Sequence, residues 1–158
     1  MSATAQEVCW RFVAFEALTT AELYDLLRLR SEVFVVEQIC IFQDMDGADA
    51  QAMHLLGRLE GELVACARCF PAGAKFTEAS IGRVATRDKV RGRGAGHVLM
   101  QQALACLQQH WGPQAIRIGA QARLEHFYQQ HGFEKTGAPY VEDGISHIEM
   151  LRPASTQT

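Results

Sequence analysis

The spacing of apolar and polar residues along the chain predicts three helices and seven strands. Apolar residues recur at the period of a helix face in residues 19–37, 94–111 and 123–131. Apolar or alternating runs bounded by turn residues predict the strands, at residues 8–15, 54–59, 62–70, 79–86, 116–120, 133–137 and 145–151. The order β-α-β-β-β-α-β-α-β-β mixes neighbouring strands with helical crossovers. We therefore expect an α/β (α+β) fold in which helices pack against one mixed sheet.

Short signals indicate where several of these elements begin and end. Thr19 and Glu22 have the spacing of a capping box, in which each residue satisfies a free amide of the other at a helix start. The β-branched valines in residues 33–36 weaken the far end of the helix that begins after Thr19, so we expect this helix to end near Glu37. Gly61 lies between two predicted strands and can supply the positive φ of a hairpin turn.

Length and composition fit one globular domain, which we place at residues 1–152, followed by a polar tail at 153–158. Of the 158 residues, 48% are hydrophobic and 21% are charged, and a chain of this size can bury a core without staples. No apolar run approaches the roughly 18 residues of a membrane span, and the first residues lack the pattern of an export signal. We expect a cytoplasmic protein that does not bind membranes.

The charge is acidic overall but clustered locally. A formal charge of -3 makes a general nucleic-acid binder unexpected, since such proteins carry a basic surface. Three acids, Asp44, Asp46 and Asp49, crowd the predicted loop at residues 39–51. They could attract a cationic amine, but we expect an ordinary solvated loop.

The cysteines give no sign of a metal centre. An odd count of five without an export signal fits a reducing compartment. Cys66 and Cys69 form a Cys-x-x-Cys pair, but on a strand positions i and i+3 face opposite sides, so the thiols should diverge. No second ligand pair has a matching spacing, and the histidines show none either, so we infer no metal.

The most informative segment is residues 81–96, where a strand is followed by a glycine-rich turn and a long helix. Gly92, Gly94 and Gly96 let backbone amides approach an anion closely, and the helix N-terminus adds partial positive charge. Arg91 and Arg93 add permanent charges with planar donor forks. These features point to a bound phosphate, most simply a pyrophosphate.

Two nucleotide-binding motifs fit this segment poorly. The dinucleotide fingerprint needs Gly-x-Gly-x-x-Gly and an acid about 20 residues later, but the glycines here are evenly spaced and Ile116 stands in the acid's place. A P-loop ends in Gly-Lys-Ser/Thr, whereas Gly96 is followed by His97. The remaining alternative is a glycine-rich helix start that binds no ligand.

The pattern Arg91-x-x-Gly94-x-Gly96 resembles the Q/R-x-x-G-x-G/A signature of the GCN5-related N-acetyltransferase (GNAT) family, whose loop holds the pyrophosphate of coenzyme A. Tyr128, Gly132 and Phe133 resemble that family's Tyr-x-x-x-Gly-Phe element. More narrowly, several segments resemble the ElaA-like branch, at residues 33–38, 43–46, 81–84, 119–122 and 142–147. The resemblance implies a single GNAT-like domain with a mixed, mostly antiparallel central sheet. That family commonly has two helices before the second strand, where we predict one.

The resemblance also implies binding roles for particular residues. The backbone of one strand would pair with the pantetheine arm of acetyl-CoA, through Val84, Ala85 and Thr86. The turn and helix start would grip the pyrophosphate, through Arg91, Gly92, Arg93, Gly94, Ala95 and Gly96. A backbone amide near Val84 or Ala85 would polarise the thioester carbonyl. Gln121 stands where the family often has Asn, so its contact with the donor is less secure.

Candidate catalytic residues follow from the same comparison and from the chemistry of amines. Tyr128 would interact with the departing thiolate. The alternative is that Tyr128 is a structural tyrosine of the core. A protonated amine acceptor calls for a base, and the candidates are Glu37, His54, Glu142 and His147. We select Glu37 and His147, although Glu37 could instead be a buried partner of Arg30 or Arg83 and His147 a structural side chain.

We therefore expect an acetyl-CoA-dependent N-acetyltransferase that transfers the acetyl group directly to an amine in a ternary complex. No cysteine has the context of a nucleophile, which disfavours an acyl-enzyme. The acceptor is a small molecule or a peptide, and neither its identity nor the oligomeric state, a homodimer included, follows from the sequence. The alternative is a regulatory or interaction module that binds coenzyme A without turnover.

Overall fold

Eight strands and three α-helices make up the part of the chain that the computed structural model describes, residues 8–154. The strands, β1 to β8, are Cys9–Ala14, Met53–Leu59, Glu62–Phe70, Ser80–Thr86, Ile116–Gln121, Glu134–Lys135, Tyr140–Glu142 and Ile145–Arg152. The helices α1, α2 and α3 are Thr20–Arg30, Ala95–Trp111 and Glu125–Gln129. A π-helical segment, Ser31–Glu37, extends α1.

The strands form two antiparallel four-stranded sheets that meet along one line. The first has the order β1-β2-β3-β4, and the second has the order β5-β8-β6 with β7 also paired to β8. The sheets are joined by a parallel bridge between Ala79 and Ile116, where the amide of Arg117 donates to the carbonyl of Ala79 at 2.8 Å. Beyond this bridge β4 and β5 share no ladder, and a cleft lies between them.

The predicted α/β fold, with helices flanking a mixed and mostly antiparallel sheet, is confirmed. The first helix reaches Glu37 as predicted, although its last seven residues are π-helical rather than α-helical. The strand predicted at 133–137 is shorter, Glu134–Lys135, and β7 was not predicted. The predicted tail at 153–158 lies largely outside the described residues.

The predicted capping box at the start of α1 is present. The Thr19 hydroxyl accepts from the Glu22 amide at 3.0 Å, and the Glu22 carboxylate accepts from the Thr19 amide at 2.9 Å. The backbone amide of Thr19 and the Arg11 guanidinium lower the pKa of Glu22. The box fixes where α1 begins, and so fixes where its far end reaches the cleft.

Strand β3 is buried on both faces, which confirms that its two thiols diverge. Cys66 packs in the core under α1, with Leu26 and Leu29, whereas Cys69 packs in the core under α2, with Leu99. Burial raises the pKa of Cys66 to about 12 and also raises that of Cys69. Neither thiol is a nucleophile at neutral pH.

The prediction that the three aspartates lie in an ordinary solvated loop is wrong. Asp44 and Asp49 are buried, and both accept from Arg30, which is fully buried in α1, at 2.9 and 2.8 Å. Arg68 of β3 binds Asp46 through both terminal nitrogens, at 2.8 and 2.9 Å, and Asp49 at 3.0 Å. The loop is thus fastened to the sheet and to α1, so its carboxylates are not free to attract an amine.

His54 of β2 belongs to the same buried region and is a structural histidine. It is fully buried, and its Nε2 lies 2.9 Å from the Asp49 carbonyl, which can only accept, so Nε2 carries the proton. Burial lowers the pKa of His54 below its ordinary 6.5. Among the base candidates it alone does not line the cleft between β4 and β5.

The buried, neutral His54 predicts a stability that falls on mild acidification. Because its folded pKa is lowered, the unfolded chain takes up the proton first, and stability is lost as the pH falls from about 6.5 toward the folded value. His54→Gln keeps a donor for the Asp49 carbonyl and removes the titration. Denaturant unfolding between pH 7.5 and 5.5 should show a slope smaller by up to about 1.4 kcal/mol per pH unit.

The exposed His126 gives the matched control. His126→Gln should leave the pH slope of the unfolding free energy unchanged. An equal slope in wild type and His54→Gln would contradict the assignment of a buried neutral imidazole.

Candidate active site

The cleft between β4 and β5 has a volume of about 740 Å³, enough to hold a ligand. Its two long walls are the strands themselves, and helix α3 closes it from below β5. Residues of the end of α1, the loop after it and the β7–β8 hairpin form its outer end, among them Phe34, Glu37, Phe42, Tyr140, Glu142 and His147. The cleft therefore extends from Arg91, just before the glycine-rich turn, to an aromatic outer end.

Strand β4 carries an irregularity in the middle of the cleft wall. Arg68 of β3 faces Gly82 and Cys66 faces Ala85, so the two residues between them on β4 oppose a single residue of β3. This is a β-bulge, which re-aims backbone groups and breaks the ladder locally. Arg83 at the bulge has φ +49°, a left-handed conformation that costs a non-glycine residue roughly 1–3 kcal/mol.

The glycine-rich turn before α2 is open and shaped for an anion. Gly92 and Gly94 have φ of +79° and +77°, and no atom lies within 4 Å of where a Cβ would be at either one. Gly94 is the N-cap of α2 and supplies no side-chain acceptor, so the first amides of the helix are left for another partner. The Arg93 side chain makes no hydrogen bond or ion pair with residues 8–154.

Gly96 lies against α3. A Cβ there would be 3.5 Å from the Phe127 ring, an ordinary contact distance, so the start of α2 packs beside the helix that carries Tyr128. The same contact includes His97 and His131, whose Nδ1 and Nε2 lie 2.8 Å apart. The open glycine turn and Tyr128 are therefore held in a fixed position relative to each other.

Arg91 turns back along the cleft wall. Its Nε donates to the Thr86 carbonyl at 3.0 Å, and its Nη2 lies 2.8 Å from the Glu37 carboxylate. Arg91 thus joins the end of β4 to the end of the π-helical segment. The alternative partners expected for Glu37, Arg30 and Arg83, are instead bound to the loop aspartates.

Tyr128 lies on α3 with its ring packed edge-on against Phe127 and Phe133. It is 7% exposed and lines the cleft. Burial raises the pKa of Tyr128 to about 12. The phenol is therefore protonated at neutral pH and keeps an O–H group that can donate a hydrogen bond to a ligand in the cleft.

Gln121, at the end of β5, bridges the cleft to Gln38. Its amide nitrogen donates to the Gln38 side chain at 3.3 Å, and Arg123 donates to its oxygen at 3.1 Å. With the Glu37 contact to Arg91, two consecutive residues at the end of α1 touch opposite walls of the cleft. In the sequence Gln38 appears only as part of the segment 33–38 that resembles the ElaA-like branch, because its partner Gln121 is distant in the chain.

His147 and Glu142 line the outer end of the cleft from the β7–β8 hairpin. The Nδ1 of His147 lies 2.7 Å from the Ile145 carbonyl, so Nδ1 carries the proton and Nε2 keeps its lone pair. The ring stacks on Tyr140 with centroids 5.7 Å apart. The arrangement leaves His147 able to accept a proton, whereas the Glu142 carboxylate is exposed.

Sequence reasoning missed Tyr140, which lies on the unpredicted strand β7. Its hydroxyl lies over Gly119 of β5, where a Cβ would approach it to 2.6 Å. Gly119 therefore makes room for a tyrosine from another strand. A glycine inside the predicted strand 116–120 was the only sign in the sequence of this close approach.

These features define an acyl-group transferase fold, and the relatives of the chain agree. Residues 25–152 match the acetyltransferase (GNAT) domain family. The chain belongs to this family and is an N-acyltransferase. Within it the chain belongs to the ElaA-like branch, since it is 41% identical over 145 residues to protein ElaA of Escherichia coli strain K12, covering 90% of this chain and 95% of that protein.

Solved structures give the same result. The crystal structure of Escherichia coli ElaA superposes with a TM-score of 0.85 at 40% identity, covering 92% of this chain and 99% of that one. An acyl-CoA N-acyltransferase from Pseudomonas aeruginosa superposes at 0.88 with 38% identity over the same shares. A GNAT acetyltransferase from Elizabethkingia anophelis with acetyl-CoA bound shares the fold at 0.62, with 16% identity, covering 92% of this chain and 97% of that one.

Residues 8–154 contain neither a membrane-spanning helix nor a candidate metal site. No helix in that range is long and apolar enough to cross a membrane. No cluster of three or more histidine, cysteine or acidic side chains there could hold a metal ion.

The open turn predicts that Gly94→Glu abolishes binding of the acyl donor. The new carboxylate would place bulk and negative charge at the N-terminus of α2, where the donor's phosphates are expected. Calorimetric titration with coenzyme A measures the loss directly.

Gly61→Glu is the matched control, because Gly61 has φ +84° and is equally open but lies in the β2–β3 turn. Both variants carry the same backbone strain, so only Gly94→Glu should lose coenzyme A. Equal affinity in the two variants would remove the turn from the donor site.

Proposed function

We propose that the protein transfers the acetyl group of acetyl-CoA directly to an amine acceptor while both substrates are bound. The observation that carries this proposal is a single cleft lined by the β-bulge, by Tyr128 and His147, and by Arg91, which directly precedes the open glycine turn. The ElaA-like relatives and the acetyl-CoA in a related fold support the choice of donor.

The walls of the cleft fit the chemistry of the donor. The free amides at the start of α2 and the unpaired Arg93 guanidinium suit a diphosphate. The edge of β4 toward the cleft has no strand partner beyond Ala79, so Val84, Ala85 and Thr86 suit the amide groups of a pantetheine arm. A backbone amide at the bulge would bind the thioester carbonyl and stabilise the charge that develops there.

Tyr128 acts in this proposal as a hydrogen-bond donor to the leaving sulfur. A thiol has a pKa near 8.5, so full proton transfer from a tyrosine with a pKa of about 12 is uphill by about 5 kcal/mol. A hydrogen bond to the developing thiolate has no such cost. Tyr128 therefore stabilises the leaving group without giving up its proton.

His147 is the base in this proposal. An alkyl amine has a pKa near 10.4, so its deprotonation costs about 4–5 kcal/mol at pH 7 and calls for an acceptor. The Nε2 lone pair of His147 supplies one at the outer end of the cleft. Glu37 is bound to Arg91 and orients the turn that holds the donor, so we assign it a binding role first.

Direct transfer fits the cysteines as well. Cys66 and Cys69 are buried with raised pKa values. Cys40 lines the cleft, but its thiol donates to the Asp143 carbonyl at 3.2 Å, and no histidine or carboxylate among the described residues contacts it. Nothing there activates a thiol for an acyl-enzyme.

Acetyl-CoA should raise the melting temperature of the protein, because a ligand that binds only the folded state stabilises it. At a hundred times the dissociation constant the gain is about 2.7 kcal/mol. Thermal scans with acetyl-CoA and with ATP at equal concentration make the comparison. A shift with ATP alone would replace the proposed donor by a nucleotide.

Tyr128→Phe should lower turnover while the affinity for coenzyme A is nearly kept, because only the hydrogen bond to the leaving sulfur is lost. A loss of roughly 10²-fold is typical when a hydrogen-bond donor to a developing negative charge is removed. A panel of amines with acetyl-CoA, read out as free thiol, gives the rates.

Tyr24→Phe controls for the substitution itself, since Tyr24 is exposed on α1. Wild-type turnover in Tyr128→Phe would take that residue out of the reaction. Donor binding without turnover on any amine would instead favour a module that only binds coenzyme A.

A further inference from the structure

The β-bulge of β4 is tied to the loop after α1 through one side chain. Arg83 leaves the bulge and reaches Asp44, with Nε 2.9 Å from the carboxylate and Nη2 donating to the carbonyl at 2.8 Å. Asp46 lies 3.4 Å from the same Nη2. Asp44 is only 5% exposed and is held from the other side by the buried Arg30.

This tether coincides with the strained residue. Arg83 is one of four non-glycine residues with positive φ among the described residues, and the only one of them inside a strand that lines the cleft. A left-handed arginine persists only where its surroundings hold it. The surroundings here are a buried carboxylate, itself fixed by α1, so the chain Arg30–Asp44–Arg83 ends at the bulge.

We infer that Asp44 is a positioning residue, which acts through Arg83 to hold the bulge in the conformation that presents its amide to the thioester carbonyl. This inference rests on the proposed function and names how that amide is kept in place. An oxyanion donor is effective only when it is aimed beforehand. Loss of the tether would let β4 relax toward a regular strand, and the amide would turn away from the donor.

Asp49 provides a matched control within the same network. It is also buried and also binds Arg30, at 2.8 Å, and Arg68, but it makes no contact with Arg83. Asp44→Asn and Asp49→Asn should therefore both lower the melting temperature. Only Asp44→Asn should affect the bulge.

Infrared spectra of bound acetyl-CoA carrying carbon-13 in its carbonyl give a readout that needs no acceptor. A hydrogen bond to the thioester carbonyl weakens the C=O bond and lowers its stretching frequency relative to free donor. The lowered frequency should be present in wild type and Asp49→Asn and lost in Asp44→Asn. Turnover should fall about tenfold or more in Asp44→Asn, with the KM for acetyl-CoA within about threefold, as expected for a misaimed donor.

Two substitutions of Arg83 separate the conformation from the side chain. Arg83→Ala loses the tether and keeps the strain, whereas Arg83→Gly loses the tether and removes the strain, because glycine adopts positive φ freely. We expect Arg83→Gly to keep more of the frequency shift and turnover than Arg83→Ala. In the Arg83→Gly background, Asp44→Asn should still lower the melting temperature but should no longer change the carbonyl frequency.

Equal spectra and rates for Asp44→Asn and Asp49→Asn would overturn the inference. So would an unchanged carbonyl frequency in Arg83→Ala, which lacks the same tether. These variants also serve if Asp44→Asn does not fold. A wild-type protein that binds acetyl-CoA without any shift of the carbonyl frequency would contradict the proposed function instead.

Discussion

Strands β4 and β5 are held together at one end only, and the site depends on that constraint. After the bridge between Ala79 and Ile116 the two strands diverge without a ladder, so each presents an edge of backbone donors and acceptors to the cleft. Such an edge favours an extended partner that carries its own amides. The fold therefore leaves space for one missing strand, and the proposed pantetheine arm is of the right chemical kind to fill it.

Separate structural devices hold the two ends of this gap. At the α2 end, the start of the helix packs against Phe127, so the open glycine turn lies beside the helix that bears Tyr128. At the other end, Arg30 and Arg68 fasten the loop after α1 to the sheet. Replacing buried ion pairs by apolar residues is often neutral or stabilising, so fixing geometry accounts for this network better than stability does.

Most of the strands and the glycine-rich turn before α2 could be predicted from the sequence, because those signals are local. The glycine spacing at residues 92–96, the adjacent arginines and the capping box at Thr19 each express their physics within a few residues. The β-bulge could not be predicted from the sequence, because nothing in the residue types around Arg83 indicates a left-handed backbone there. Strand β7 was missed because its three residues are exposed and lack a buried alternation.

The error over the loop aspartates has a clear physical origin. Asp44, Asp46 and Asp49 look like a solvated cluster because their partners lie 14 to 39 residues away, on α1, β3 and β4. Acids without nearby basic residues are ordinarily placed at the surface. Here three guanidinium groups from three elements converge on them, so the charges balance around the buried Asp44 and Asp49. The same convergence joins α1 to the cleft wall, which makes the geometry of the bulge a property of the whole first sheet rather than of β4 alone.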